Sequence, residues 1–111
     1  MTGTLSEYKN MWLFAMFDLP VVEKEDRKQY TKFRNFLISE GFIMLQFSVY
    51  AKFCSSRVYG DTELKHIKEA LPSDGQIRLV MITDKQFGEM FVFHGKIRKK
   101  SENPPEQLML L

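Results

Sequence analysis

The sequence predicts an α+β domain, an antiparallel sheet with two helices packed on one of its faces. Three observations carry that expectation. Short runs of aromatic and β-branched residues alternate with two longer segments whose apolar residues recur at helical spacing. The chain has 111 residues, enough for one domain burying roughly two-thirds of its unfolded surface. Its apolar fraction of 44%, with 14% aromatics, belongs to a folded chain rather than a disordered one.

The first element is "MWLFAMFDLP", Met11 to Pro20. The uncharged run from Met11 to Phe17 suits a buried strand and is too short to span a membrane. Asp18 therefore stands at a strand's end. "VVEKEDRKQYTKFRNFLISEGF" reads as a helix opened by Pro20, with acids in its first turn and Gly41 at its close. Tyr30, Phe33 and Leu37, with Phe36 beside them, form its buried stripe. Lys24, Arg27, Thr31 and Arg34, with Lys28 adjacent, fall on another face as a basic ridge.

"FIMLQFSVYAKFC" is too long for one strand in so small a domain. It divides near Gln46 to Ser48 into two strands, through a tight or bulged turn that contains no Asn-Gly pair. "SSRVYGDTELKHIKEALPSDG" gives a turn and a second helix, with Leu64, Ile67 and Leu71 on its inner face. "QIRLVMITD" is the next strand, "KQFGEM" a turn or short helical loop, and "FVFHGKI" one further short strand. "RKKSENPP" is a charged connector, and "EQLMLL" an apolar tail that needs a partner surface.

The order is that of a ferredoxin-like β-α-β-β-α-β domain with an extra C-terminal strand or tail. We divide the chain into an N-terminal extension (1–10), the domain (11–97) and a connector with docking tail (98–111). The sheet face away from the helices carries Phe, Ile and Val and needs cover. A second copy is the expected cover, which makes the protein a homodimer.

Composition excludes several function classes. A formal charge of +2 means that binding to a polyanion would have to come from local arrangement. The single cysteine, Cys54, excludes an internal disulfide and a cysteine-based zinc site, points to a reducing cytosol, and reads as a small buried hydrophobe. "MTGTLSEYKN" lacks the pattern of a signal peptide, and no membrane-spanning segment is expected. His66 on an outer helix face and His94 on a late strand have no Ser or Cys nucleophile at a recognisable spacing, so both read as structural or solvent-exposed. No Gly-rich phosphate loop is present.

Asp18 admits two readings. It could cap the helix that follows Pro20. It could also hold Mg²⁺, an ion that commonly takes one or two carboxylates and completes its shell with water and substrate phosphate. A two-fold axis bringing two copies of Asp18 together would supply the second carboxylate.

"FAMFDLP", the basic first helix, "GFIMLQFSVYAKFCSSR" and "LPSDGQIRLVMITDKQFGEM" resemble, in that order, the family of the second CRISPR-associated protein. This is the small subunit of the spacer-acquisition complex, in the form found beside the type II effector nuclease. The resemblance runs from about Met11 to Gly95. It implies a prokaryotic cytoplasmic homodimer in which Asp18 matches the strand-end aspartate assigned to divalent metal binding and catalysis. The cofactor implied is Mg²⁺ or Mn²⁺, shared between two Asp18 residues, in a nuclease acting on RNA or duplex DNA. It also implies a bridging role between two dimers of the integrase, the first CRISPR-associated protein, which does not require the aspartate. The family's usual Tyr-Asp is Phe17-Asp18 here, so any role of the phenolic hydroxyl is absent.

In that setting two copies of Lys24, Arg27, Lys28 and Arg34 would make a basic track for duplex phosphates of any sequence. Arg57 and Arg78 are lesser candidates, Arg78 being equally suited to snorkel or to pair with an acid. Leu108, Met109, Leu110 and Leu111 would dock on the neighbouring protomer or on the integrase. Three functions follow: a DNA-binding adaptation protein that bridges integrase dimers, a metal-dependent endoribonuclease or DNase, and a ferredoxin-like regulatory or toxin-like domain. Motif order separates the third from the others, and nothing in the sequence separates the first two.

Overall fold

β1 (Met11–Asp18), β2 (Ile43–Gln46), β3 (Val49–Cys54) and β4 (Gln76–Thr83) form one antiparallel sheet in the order β2-β3-β1-β4. α1 (Lys24–Ser39) joins β1 to β2, and α2 (Arg57–Glu69) joins β3 to β4. This is the expected ferredoxin-like order. The computed structural model describes residues 10–95 and the backbone of 97–99.

β1 is paired on both edges and covered on both faces, which is why its sequence is an unbroken apolar run. Met11, Leu13, Ala15 and Phe17 pack toward the helices with Phe33, Leu37, Tyr50 and Ile67. Trp12 and Phe14 pack on the other face with Ala51 and Phe87. Phe87 comes from a short helix, α3 (Asp84–Gly88), whose start is closed by Thr83 and Gln86 bonding each other's backbone amides. Its ring stacks on Trp12 at 4.1 Å, and the Trp12 indole donates to Asp84 at 2.8 Å. The expected helical loop thus covers part of the second sheet face.

The division of "FIMLQFSVYAKFC" falls where expected, at Phe47 and Ser48. Ser48 has φ 60°, a left-handed conformation that costs a non-glycine residue about 1 kcal/mol. Two anchors hold it there. Its carbonyl accepts the Phe17 amide at 3.0 Å, and its hydroxyl shares a hydrogen bond with that of Tyr30 at 3.1 Å. The turn is stabilised by β1 and α1 rather than by turn residues of its own.

The C-terminal end differs from expectation. "FVFHGKI" is not one strand: β5 (Val92–His94) and β6 (Ile97–Lys99) form an antiparallel hairpin, because Gly95 at φ 68° reverses the chain. The pairing takes up Arg98 and Lys99, which the sequence assigned to the connector. Most of the expected tail, including Leu108, Met109, Leu110 and Leu111, lies outside the described residues, as do positions 1–9. No helix among the described residues is long and apolar enough to cross a membrane.

Candidate nucleic-acid interface and metal sites

Asp18 ends β1, and strand alternation places it on the face of Trp12 and Phe14, away from the helices. It is exposed, and its carboxylate has no hydrogen-bond or ion-pair partner among the described residues. The capping reading therefore fails. Asp26 accepts the Glu23 amide at 3.1 Å at the start of α1, and the Arg27 guanidinium donates to the Val22 and Val21 carbonyls at 2.8 and 3.2 Å. The helix closes its own N-terminus and leaves Asp18 free.

Asp18 opposes Gln76 across β1 and β4, and Met16 opposes Arg78. With Phe17 these four residues line a shallow cavity of about 200 Å³, where Arg78 donates to the Gln76 side-chain oxygen at 3.3 Å. A carboxylate and a guanidinium at one opening can hold a phosphate and a cation together. One protomer supplies one carboxylate, so the donor set fits Mg²⁺ or Mn²⁺ only when water, phosphate or a second copy completes the shell.

Gly75 fixes the approach to this cavity. At φ +97°, a Cβ on Gly75 would lie 2.9 Å from the Asp18 carbonyl oxygen and 2.5 Å from a Leu19 methyl. Gly75→Ala should destabilise the fold by about 2 kcal/mol, from the left-handed conformation and the clash together. A urea-unfolding midpoint indistinguishable from wild type would contradict that packing.

The basic residues do not form one patch. Lys24, Arg27, Lys28 and Arg34 are all exposed along α1, and none pairs with an acid among the described residues. A connection of five residues joins the end of β1 to the start of α1, so Lys24, Arg27 and Lys28 lie toward the Asp18 end of the sheet. Arg78 lies on the opposite face from α1, beside Asp18. Arg57 opens α2 after the end of β3, and Cys54 at that end pairs with Met11, so Arg57 lies at the far end of the domain.

A second constellation lies on the helix side of the sheet. Lys52 of β3 hydrogen-bonds the Glu63 carboxylate of α2, and its ammonium is 3.4 Å from the Tyr59 hydroxyl and 5.0 Å from the Tyr59 ring centre. Burial works against the Lys52 charge, but its bonds to Glu63 and Tyr59 outweigh that and raise its pKa. His66 Nδ1 lies 2.9 Å from Glu40 Oε1, and this bond holds the Glu40 carboxyl below its ordinary pKa. Among the described residues, Glu40, Glu63 and His66 are the one trio of potential metal ligands with converging donor atoms.

The sequence placed His66 on an outer helix face as structural or solvent-exposed, and its side chain is half exposed, but its cluster with Glu40 and Glu63 was not foreseen. Glu63-x-x-His66, one helical turn apart, was the available signal. The contribution of Glu40 comes from the residue that follows α1 and is visible only in three dimensions. Cys54 is buried as expected, and burial pushes its thiol pKa up, which suits an inert core residue.

The fold and this site define a small ferredoxin-like protein with a free strand-end carboxylate and an exposed basic helix. The sequence profile of the family described as CRISPR associated protein Cas2 matches residues 11–90. A protein named CRISPR-associated endoribonuclease Cas2 from Paracidovorax avenae is 43% identical over 106 residues, 96% of this chain and 98% of its own length. Proteins of the same name from Flavobacterium psychrophilum and Streptococcus mutans are 42% and 41% identical, over 96% and 91% of this chain and 92% and 93% of their own lengths. This chain belongs to the Cas2 family of CRISPR-associated proteins, which sets aside the regulatory or toxin-like reading.

Proposed function

We propose that the protein acts in CRISPR spacer acquisition as a homodimer that binds duplex DNA along paired α1 ridges and bridges dimers of the integrase. The observation that carries this reading is the ridge itself: Lys24, Arg27, Lys28 and Arg34, all exposed on one helix, with no acid partner among the described residues. Phosphate contacts of this kind carry no sequence information, which suits a protein that must accept any DNA. Dimerisation through the sheet face opposite the helices is supported by Val80, 43% exposed on that face, and by the outer edge of β4, which pairs with no strand among the described residues. The tail with Leu108, Met109, Leu110 and Leu111 is assigned a docking role on the partner protomer or the integrase.

The test is a titration of labelled duplex DNA with wild type and with a Lys24→Ala/Arg27→Ala/Arg34→Ala variant at several salt concentrations, with and without the integrase. Each lost phosphate contact should flatten the slope of log affinity against log salt by about 0.9, so the dimeric variant should lose up to about 5 from the slope. Equal affinities and equal slopes would remove the ridge from the mechanism.

A second reading, metal-dependent phosphodiester cleavage, is favoured by the unpartnered Asp18 carboxylate and by the name endoribonuclease carried by the relatives. Asp18 would hold the ion, Arg78 would position a phosphate at the same cavity, and the sheet face of a second copy would exclude bulk water. Mg²⁺ or Mn²⁺ bound there would supply phosphate polarisation and an activated water.

A further inference from the structure

We propose a transition-metal site, separate from Asp18 and on the opposite face of the sheet, in which Glu40, Glu63 and His66 bind one Zn²⁺ per chain. The trio comes from two elements. Glu63 and His66 stand one turn apart on α2, and Glu40 directly follows the last turn of α1. Their donor atoms lie within 4.8 Å of one another.

The second observation is an orphaned atom. The Glu63 side chain is only 6% exposed, and its Oε2 is buried with no hydrogen-bond partner. That oxygen lies 3.9 Å from His66 Nδ1, while Oε1 is taken by Lys52. A buried carboxylate oxygen facing a second carboxylate and an imidazole is costly unless a cation sits among them. Glu40 Oε1 and His66 Nδ1 are 2.9 Å apart. Ligands about 2.1 Å from a tetrahedral ion stand roughly 3.4 Å apart; the 2.9 and 3.9 Å separations bracket that spacing, and the third pair lies within 4.8 Å.

The donor set selects the metal class. One imidazole with two carboxylates suits Zn²⁺, whereas Mg²⁺ and Ca²⁺ prefer oxygen alone, and Zn²⁺ binds such ligands more tightly than Mn²⁺ or Fe²⁺. His66, 50% exposed, leaves the fourth position open to water. Lys52 bonds the other oxygen of Glu63 and so fixes the carboxylate's orientation. The C-terminus of α1 has no basic residue in its last turn, so its partial negative charge also attracts the ion. Bound zinc would tie the end of α1 to α2, a role independent of nucleic-acid binding or cleavage.

The test uses tag-free, metal-stripped, full-length protein. Zn²⁺ is titrated by calorimetry, and Co²⁺ is added to read its visible absorption, on wild type, His66→Ala, Glu40→Gln and Asp18→Asn. Wild type and Asp18→Asn should each bind one Zn²⁺ per chain, show the intense visible bands of low-coordinate Co²⁺, and unfold at a higher temperature with zinc. His66→Ala and Glu40→Gln should each weaken Zn²⁺ binding at least about 10-fold. Glu40→Gln preserves volume at a partly exposed position, so it gives the answer even if His66→Ala perturbs the fold. No Zn²⁺ binding by wild type would overturn the proposal, as would wild-type affinity retained in His66→Ala and Glu40→Gln or loss of binding in Asp18→Asn.

Discussion

Asp18→Asn should abolish divalent-cation-dependent cleavage of RNA or DNA while leaving unfolding free energy within about 0.5 kcal/mol of wild type. The two halves of this expectation have one cause. The Asp18 carboxylate is exposed and has no partner among the described residues, so neutralising it removes no fold contact. As the only carboxylate among the described residues that line the cavity, it is also where a hard cation would be held. The measurement is cleavage of labelled substrates in Mg²⁺ or Mn²⁺, beside urea unfolding of the same preparations. Undiminished cleavage would place the hydrolytic centre elsewhere. Lost cleavage with intact DNA binding and spacer acquisition would make the α1 ridge the working surface and the metal site a separate activity.

Lys52→Met should cost about 3 kcal/mol, because it leaves the Glu63 carboxylate buried without its cation. The side chains of Lys52 and Glu63 are 13% and 6% exposed, so little solvent reaches either to compensate. Methionine keeps most of the stem that packs near Gly41 and removes the ammonium together with its bonds to Glu63 and Tyr59. The raised pKa of Lys52 sets the pH signature: its contribution is complete below the ordinary lysine value of 10.5 and disappears as pH rises through the higher folded-state value. The stability difference between wild type and variant should therefore hold across neutral pH and narrow only in strong alkali. Glu40 acts at the other end. Its lowered pKa means that its contribution is present above the ordinary value of 4.5 and fades as pH falls through the lower folded-state value. A Lys52→Met penalty below 1 kcal/mol at neutral pH would show that water screens the pair.

Sequence alone determined the elements. The unbroken run of β1, the helical recurrence of Phe33 and Leu37, and the two-strand length of "FIMLQFSVYAKFC" are patterns that only a few backbone arrangements can bury. Sequence also put Asp18 at a strand's end, because a charge closing an apolar run can only lie where the strand leaves the core. It could not decide whether that charge caps a helix, since the bond donated by the Glu23 amide to Asp26 depends on the path taken between β1 and α1.

Tertiary structure decided the rest because the remaining facts are relations between distant segments. Antiparallel pairing sends Arg57 to the far end from Asp18 and brings Arg78 beside it, though neither residue's local sequence distinguishes them. Gly95, an ordinary residue in a strand-like run, reverses the chain so that β6 can pair back on β5. Glu40 meets Glu63 and His66 only because α1 and α2 pack side by side on one sheet face. Periodicity specifies which face of an element is buried, and packing specifies which buried faces meet.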